Sequence, residues 1–270
     1  MATSQPPLPR APRPAPVGAQ LRAWRQRRRL SQLGLALDAG ISQRHLSFVE
    51  SGRAMPSRSM VLHLAEQLDV PMRERNALLL AAGFAPRYAE RPFDDPALAP
   101  ARAVVDAILR AHVPNPALAV DRHWHMLAAN GAVAPLLAGV ADPALLRPPV
   151  NVLRLSLHPG GLAPAIANLP VWRTHVLERL RRQAHGSGDP VLAGLLAELT
   201  ALGGGTGEPA VGEGVAVPLE LDTAQGRLSL ISTTTVFGTP TEVTLAELAI
   251  EAFYPADDAT AERLVRLQRA

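Results

Sequence analysis

The chain contains no cysteine and no lysine. Without cysteine it can form no disulfide, offer no thiolate to a metal and use no cysteine nucleophile. The absence also fits a reducing compartment, so a cytoplasmic protein is expected. All 27 basic residues are arginine, which fits a GC-rich genome and carries no functional message. The missing lysine does remove the residue on which a phosphate-binding loop depends. No apolar run is long enough to cross a membrane, and the first residues lack the apolar core of a secretory signal. No internal repeat is present. At 270 residues the chain has room for one large or two ordinary domains.

Charge is distributed unevenly. Residues 1–91 hold 14 arginines and 6 acids, a net charge of +8, whereas residues 92–270 hold 13 arginines and 18 acids, a net charge of −5. A basic first third on an acidic remainder is the asymmetry expected when one part meets a polyanion.

Residues 1–17 contain six prolines and two arginines, Arg10 and Arg13. That composition predicts a disordered tail. Either arginine can touch DNA phosphates from a flexible arm. Gly18 to Arg29 reads as a first helix, with Leu21 and Trp24 inside and Arg22, Arg25 and Arg27–Arg29 around the outside. Ser31 caps a second helix, on which Leu33, Ala36 and Leu37 form the expected apolar face. Asp38-Ala39-Gly40 ends it, Gly40 being free to take positive φ. Ile41 points inward and Ser42 caps a third helix. There Leu46 and Val49 face the core and Gln43, Arg44 and Ser47 are left outside. Ser57 or Ser59 caps a fourth helix carrying Val61, Leu64, Ala65 and Leu68, and a fifth runs from about Met72 to Gly83. Five short helices make a compact all-α module, for which a DNA-free helical bundle is the competing reading. The helix, short turn and helix over Ser31–Arg53 and the charge split are independent, and together they favour DNA.

Phe84 to Pro100 reads as a linker. Ala97–Ala111 is a predicted helix with Val104, Ile108 and Ala111 on one apolar face, suited to connection or dimerisation. Beyond Pro114, strands are expected at Ala117–Asp121, Trp124–Ala129, Val215–Leu221 and Arg227–Thr235, the last two joined as a hairpin. Helices are expected at Ala132–Leu137, Val171–Gln183, Pro190–Leu202 and Ala259–Gln268. Val150–Leu157 is ambiguous, and Val243–Phe253 suits a strand or a helix. Gly203–Gly214 is a glycine-rich loop. The pattern is α+β. The expected division is tail 1–17, helical domain 18–84, linker and connecting helix 85–112, and α+β domain 113–270.

The stretch LSQLGLALDAGISQRHLSFVESGRAMPS resembles the Cro/C1-type helix-turn-helix of the xenobiotic-response-element family of bacterial repressors, over about residues 18–83. The Ser-Gln opening, the Gly-Ile-Ser turn, the Leu-Ser of the next helix and the Glu-Ser-Gly-Arg exit stand in order. The resemblance implies double-stranded DNA as partner and Gln32 at the phosphate backbone, where a helix N-terminus adds a favourable dipole. Gln43 and Arg44 open the recognition helix. Gln pairs bidentately with adenine and Arg with guanine, each worth about 1–3 kcal/mol of discrimination. Ser47 reaches a base edge or a phosphate. Ser42, Arg53, Ser57 and Arg58 are backbone candidates. Glu50 is expected to be structural, with an arginine such as Arg58 as a candidate partner.

Asp121-Arg122-His123-Trp124 with Ala128-Ala129-Asn130, Asn151 to Leu155 with His158-Pro159, Leu228 to Pro240, and Glu251 to Asp257 are similar to the ligand-binding domain of the MmyB-type regulators. This resemblance implies a PAS-like fold, an antiparallel sheet and helices around a cavity, and an apolar ligand of the fatty-acid kind. Leu155, Leu169, Val171, Trp172, Val176, Leu228, Leu230 and Phe237 are candidate lining residues, though such residues are more often plain core. Arg154 or His175 would meet a carboxylate head, a surface or structural ion pair being the favoured alternative for Arg154. Asn130 is expected to cap a helix or fix a turn.

No catalytic constellation emerges, and no enzyme activity, metal or cofactor is expected. His123 and His125 with Asp121 share a strand face but lack a further ligand of metal spacing, so surface histidines are the preferred reading. Gly203–Gly207 lacks the end of a phosphate loop. Ser232 has no nucleophile-elbow context. The expectation is a bacterial, dimeric, DNA-binding regulator with an all-α helix-turn-helix domain and an α+β PAS-like sensor, acting on an inverted repeat on the nucleoid. A PAS-like domain that only dimerises, and a lipid-binding or lipid-modifying protein whose helical module binds protein, are the alternatives.

Overall fold

The computed structural model describes residues 15–205, 207 and 216–269. They fall into two compact units divided between Tyr88 and Ala89. Arg10 and Arg13 lie outside the described residues, as does most of the glycine-rich segment beyond Gly207. No helix of the described residues is long and apolar enough to cross a membrane.

The first unit is five helices: α1 (Val17–Arg27), α2 (Gln32–Asp38), α3 (Gln43–Glu50), α4 (Arg58–Gln67) and α5 (Met72–Ala81). Serine hydroxyls set three of the starts. Ser31 Oγ accepts from the Gly34 amide at 2.9 Å, Ser42 Oγ from His45 at 3.1 Å and Ser57 Oγ from Met60 at 3.2 Å. Each satisfies an amide that has no partner within the helix. Gly40 takes φ +61° in the turn between α2 and α3, a conformation a side chain resists. The core holds Leu21, Leu35, Leu46, Leu64, Leu68, Leu78 and Leu79, all fully buried. Burial of each such side chain is worth about 1.5–3 kcal/mol.

The expected face of α2 is corrected. Leu33 and Leu37 are exposed, and Leu35, Ala36 and Ala39 turn inward. The short helix meets the core with these three residues, so its phase differs from the one read off the leucine spacing. The first-helix arginines are also not all outside. Arg25 is buried, and Arg28 donates to Leu68 O and Asp69 O, closing the end of α4.

The second unit opens with a 3-10 turn and α6 (Ala99–Ala111), followed by β1 (Ala117–Val120) and β2 (Met126–Ala129). Then come α7 (Val152–Leu157), α8 (Leu169–Ser187), α9 (Pro190–Ala201), β3 (Leu219–Thr223), β4 (Gly226–Val236), α10 (Val243–Ala246), β5 (Ala249–Pro255) and α11 (Asp258–Leu267). The strands form one antiparallel sheet in the order β2-β1-β5-β4-β3. The ambiguous stretch Val243–Phe253 is both things in turn, a helical turn and then a strand. The strand expected from Val215 begins at Leu219, after Pro218, which has no amide for a ladder. Ala132–Leu137 narrows to a 3-10 turn at Ala134–Leu137, opened by Pro135.

Alternation along the strands divides the sheet into two faces. Ala117, Ala119, Ile250 and Ala252 pack on Val105 and Leu109 of α6. Leu118, Val120, Leu219, Leu221, Leu228 and Leu230 belong to a larger cluster with α7, α8, α9 and α11. The face of α6 that meets the sheet is therefore one residue out of phase with the predicted one, and Val104 and Ile108 are exposed. Asn130 fixes the corner between these layers. Its Oδ1 accepts the amides of Ala117 and Ala132, and its Nδ2 donates to Leu109 O and Asn115 O.

Candidate functional site

In the first unit the recognition helix α3 is held from behind. Glu50 Oε1 accepts from Arg25 Nε at 2.6 Å, and its Oε2 accepts from Arg25 Nη2 and Gln32 Nε2, each at 2.8 Å. The Glu50 side chain is 2% exposed. One carboxylate thus joins α1, α2 and α3. Burial alone would raise the Glu50 pKa; hydrogen bonds from Arg25 and Gln32 and the charges of Arg25 and Arg22 outweigh it and hold the carboxyl below its ordinary range. Arg58, the arginine suggested as a partner for Glu50, starts α4 and makes no such bond; Arg25, on the helix α1 packed against α3, takes the place. Gln32, expected at the phosphate backbone, has its amide committed to Glu50. Gly18 lets the helices approach this closely, since a Cβ there would stand 2.1 Å from Val49 O.

The front of α3 is open. Gln43 and Arg44 are exposed and Ser47 is half-buried. The Arg44 guanidinium stands 5.4 Å from the centre of the Phe48 ring, and that of Arg53 stands 5.9 Å from it. Stacking of this kind orients a guanidinium without consuming its donors. Ser42 spends its oxygen on the cap of α3. Ser57, Arg58 and Ser59 line an open depression with Arg87. Arg87 was not among the expected residues; it lies beyond α5, where no motif marked it. The arrangement gives long donors at the exposed start of a short helix and cations beside it, the combination that reads base edges and holds phosphates.

The second unit encloses an apolar cavity of about 110 Å³. Its sheet side is Leu118, Leu219, Leu221, Leu230 and Phe253, and its helical side is Val152, Leu153 and Leu155 of α7 with Trp172 and Val176 of α8. The expected Leu155, Trp172, His175, Val176 and Leu230 all line it. Two expectations are corrected. Arg154 pairs bidentately with Glu198, at 2.6 and 2.8 Å, so its charge is spent on α9 at the surface. Phe237 packs on the α6 face of the sheet. Leu169, Val171 and Leu228 lie outside the lining as well.

A polar group in the wall was missed. Arg179 Nη2 donates to Glu251 Oε1 at 2.6 Å and Nη1 to Oε2 at 2.9 Å, and Nη2 also donates to Thr234 Oγ1 at 2.7 Å. The guanidinium lies 4.6 Å from the Trp124 ring centre. Arg179 falls one turn after His175 on α8, a spacing legible in sequence only once the cavity side of α8 is known. His175 stacks on Trp172 at 5.6 Å, and Trp172 Nε1 donates to Ser156 Oγ. Burial first, then the charges of Arg179 and Arg182, lower the His175 pKa, so the ring is neutral at pH 7. Trp124 takes φ +68°, and its Nε1 donates to Gln183 Oε1 at 2.8 Å. A tryptophan in the left-handed region is strained, and such strain gathers where a side chain must be aimed.

Asp121, His123 and His125 bring ligand atoms within 4.8 Å of one another. Each histidine already has a carboxylate: His125 Nδ1 is 3.0 Å from Asp121 Oδ2, and His123 Nε2 is 2.8 Å from Asp189 Oδ2. Asp121 Oδ1 also accepts the amides of His123 and His125. They are half-buried members of a turn network.

A family model described as the MmyB-like transcription regulator ligand binding domain matches residues 101–267, and one described as a helix-turn-helix domain matches residues 16–78. No curated protein matches the chain.

Proposed function

As the chain belongs to the MmyB-like transcription regulators and carries a helix-turn-helix domain, we propose that it binds one DNA sequence with an affinity set by a small apolar molecule in the second unit. The single observation that carries this reading is the coexistence of an open, donor-bearing recognition helix and an apolar cavity in one chain. In the proposal Gln43 and Arg44 read bases, Ser47 assists, and Arg53, Arg58 and Arg87 hold phosphates. Catalysis has no part in it.

The ligand is proposed to be apolar because the wall is. A fatty acid is the form that the resemblance suggests. Apolar cavities of roughly 150 Å³ hold a benzene ring; here a long acyl chain would have to part the walls. Coupling follows from the sheet. Leu118, Glu251 and Phe253 face the cavity, while Ala117, Ala119, Ile250 and Ala252 on the other side carry α6. A ligand that moves β1 and β5 moves α6, the first helix of the second unit. The ligand must prefer one of two states for this to change DNA affinity.

A homodimer on an inverted repeat is part of the proposal, supported by the exposed pair Val104 and Ile108 one turn apart on α6. Two recognition helices would then enter major grooves about one helical turn apart. The test is genomic selection with the purified full chain followed by gel shifts. An enriched inverted repeat that Val104→Glu/Ile108→Glu no longer holds tightly is the expected result. Absence of any enriched sequence would sink the proposal.

A further inference from the structure

The resemblance points to a carboxylate head group, but among the described residues the cavity wall holds no free cation to receive one. Among the described residues the charged groups of its wall are Arg179 and Glu251, and they are bonded to each other through both carboxylate oxygens. The Glu251 side chain is 6% exposed. Arg154, which would have supplied a second charge, is tied to Glu198 outside the cavity. His175 is neutral at pH 7, as burial and two nearby arginines oppose its protonation. An entering carboxylate would therefore lie beside a buried carboxylate, with no uncompensated cation to offset its lost hydration. What the wall does offer to an uncharged head is the neutral imidazole of His175 with one donor and one acceptor nitrogen, and the hydroxyls of Ser156 and Ser232.

From this we infer that the cavity selects an uncharged amphiphile, an aliphatic alcohol, ketone or ester, and rejects the carboxylate of the same chain because Glu251 already occupies Arg179. The inference rests on the cavity being the ligand site, as proposed above. It makes Glu251 the specificity-determining residue. Removing its charge releases Arg179 toward the cavity and turns the preference over.

The test titrates the full chain with 1-octanol, methyl octanoate and octanoate at pH 7.5, following the fluorescence of Trp124 and Trp172, both of which line the cavity. The wild type is expected to bind the alcohol and the ester at least tenfold more tightly than octanoate. Glu251→Gln is expected to gain tenfold or more for octanoate and to change little for 1-octanol. Leu230→Trp fills the cavity and should abolish all three responses. Octanoate binding as tightly as 1-octanol to the wild type overturns the inference and leaves the cavity reading standing. That comparison needs no variant, so it decides even if Glu251→Gln fails to fold. A folded Glu251→Gln protein without a gain for octanoate also overturns it. No response to any of the three overturns the cavity reading itself.

Discussion

Arg25 and Glu50 meet in a buried, two-pronged pair, Nε to Oε1 at 2.6 Å and Nη2 to Oε2 at 2.8 Å, joining the first helix to the last residue of the recognition helix. Gln32 completes the joint from α2. The consequence is that the reading helix is positioned by an ionic contact on its hidden side. Its long donors Gln43 and Arg44 stay exposed on the other side.

Arg25→Ala leaves Glu50 buried without its cation. Loss of one partner of a buried pair costs about 3–5 kcal/mol. Urea denaturation of the variant should show that loss in the first unit. The wild type should show it with pH. Glu50 is held below its ordinary value of 4.5, so the pair contributes fully above that pH. Its contribution fades as pH falls through the lower folded-state value. The Arg25→Ala variant should lack this part of the pH dependence.

Gly18→Ala tests the close approach of α1 and α3. The added Cβ would meet backbone oxygens, Val49 O at 2.1 Å and Glu50 O at 2.9 Å. Neither can swing aside as a flexible side chain would, so the helices must part. A loss of about 3 kcal/mol or more is expected, together with lost DNA binding, measured by thermal melting and gel shift.

Base readers and phosphate holders separate by salt. Gln43→Ala and Arg44→Ala should each cost about 1–3 kcal/mol on the selected sequence and little on random DNA. Arg53→Ala and Arg58→Ala should weaken both equally and flatten the slope of log K against log salt by about 0.9 each. Equal losses on both DNAs for Arg44→Ala would remove it from the base readers.

Asn130→Ala strands the Ala117 amide and the Asn115 carbonyl, among four bonds lost. A destabilisation of about 3 kcal/mol is expected in the second unit, without change in DNA affinity at temperatures where it stays folded.

Much of the first unit was legible in the sequence because its signals are local. Ser31, Ser42 and Ser57 cap the helices that their positions promised, and Leu46 and Val49 are buried as their spacing implied. The Arg25–Glu50 pair was not legible: it spans 25 residues, and an arginine on a basic helix looks like solvated surface until its neighbour is known. Phase was the other weak point. On α2 and α6 the leucines and valines offered two apolar faces, and packing chose the one that spacing alone did not favour. In the second unit the hairpin of β3 and β4 followed from its turn residues, but the pairing of β1 with β5 is long-range and leaves no local mark. The cavity was half visible. Apolar residues such as Trp172, Val176 and Leu230 were found because apolar residues are the default lining. Arg154 and Phe237 were misplaced because a helix start and a strand end do not say which way a side chain leaves. Arg179 and Glu251, 72 residues apart, were invisible as a pair.

Ligand control of DNA binding is tested most directly by one affinity, that of the full chain for its selected DNA sequence, measured with the cavity empty and with 1-octanol bound. Occupancy is followed in the same samples through Trp124 and Trp172. A ligand-gated regulator gives two isotherms at least about fivefold apart, the low end of ordinary allosteric coupling. Superimposable isotherms with the cavity demonstrably filled would contradict it.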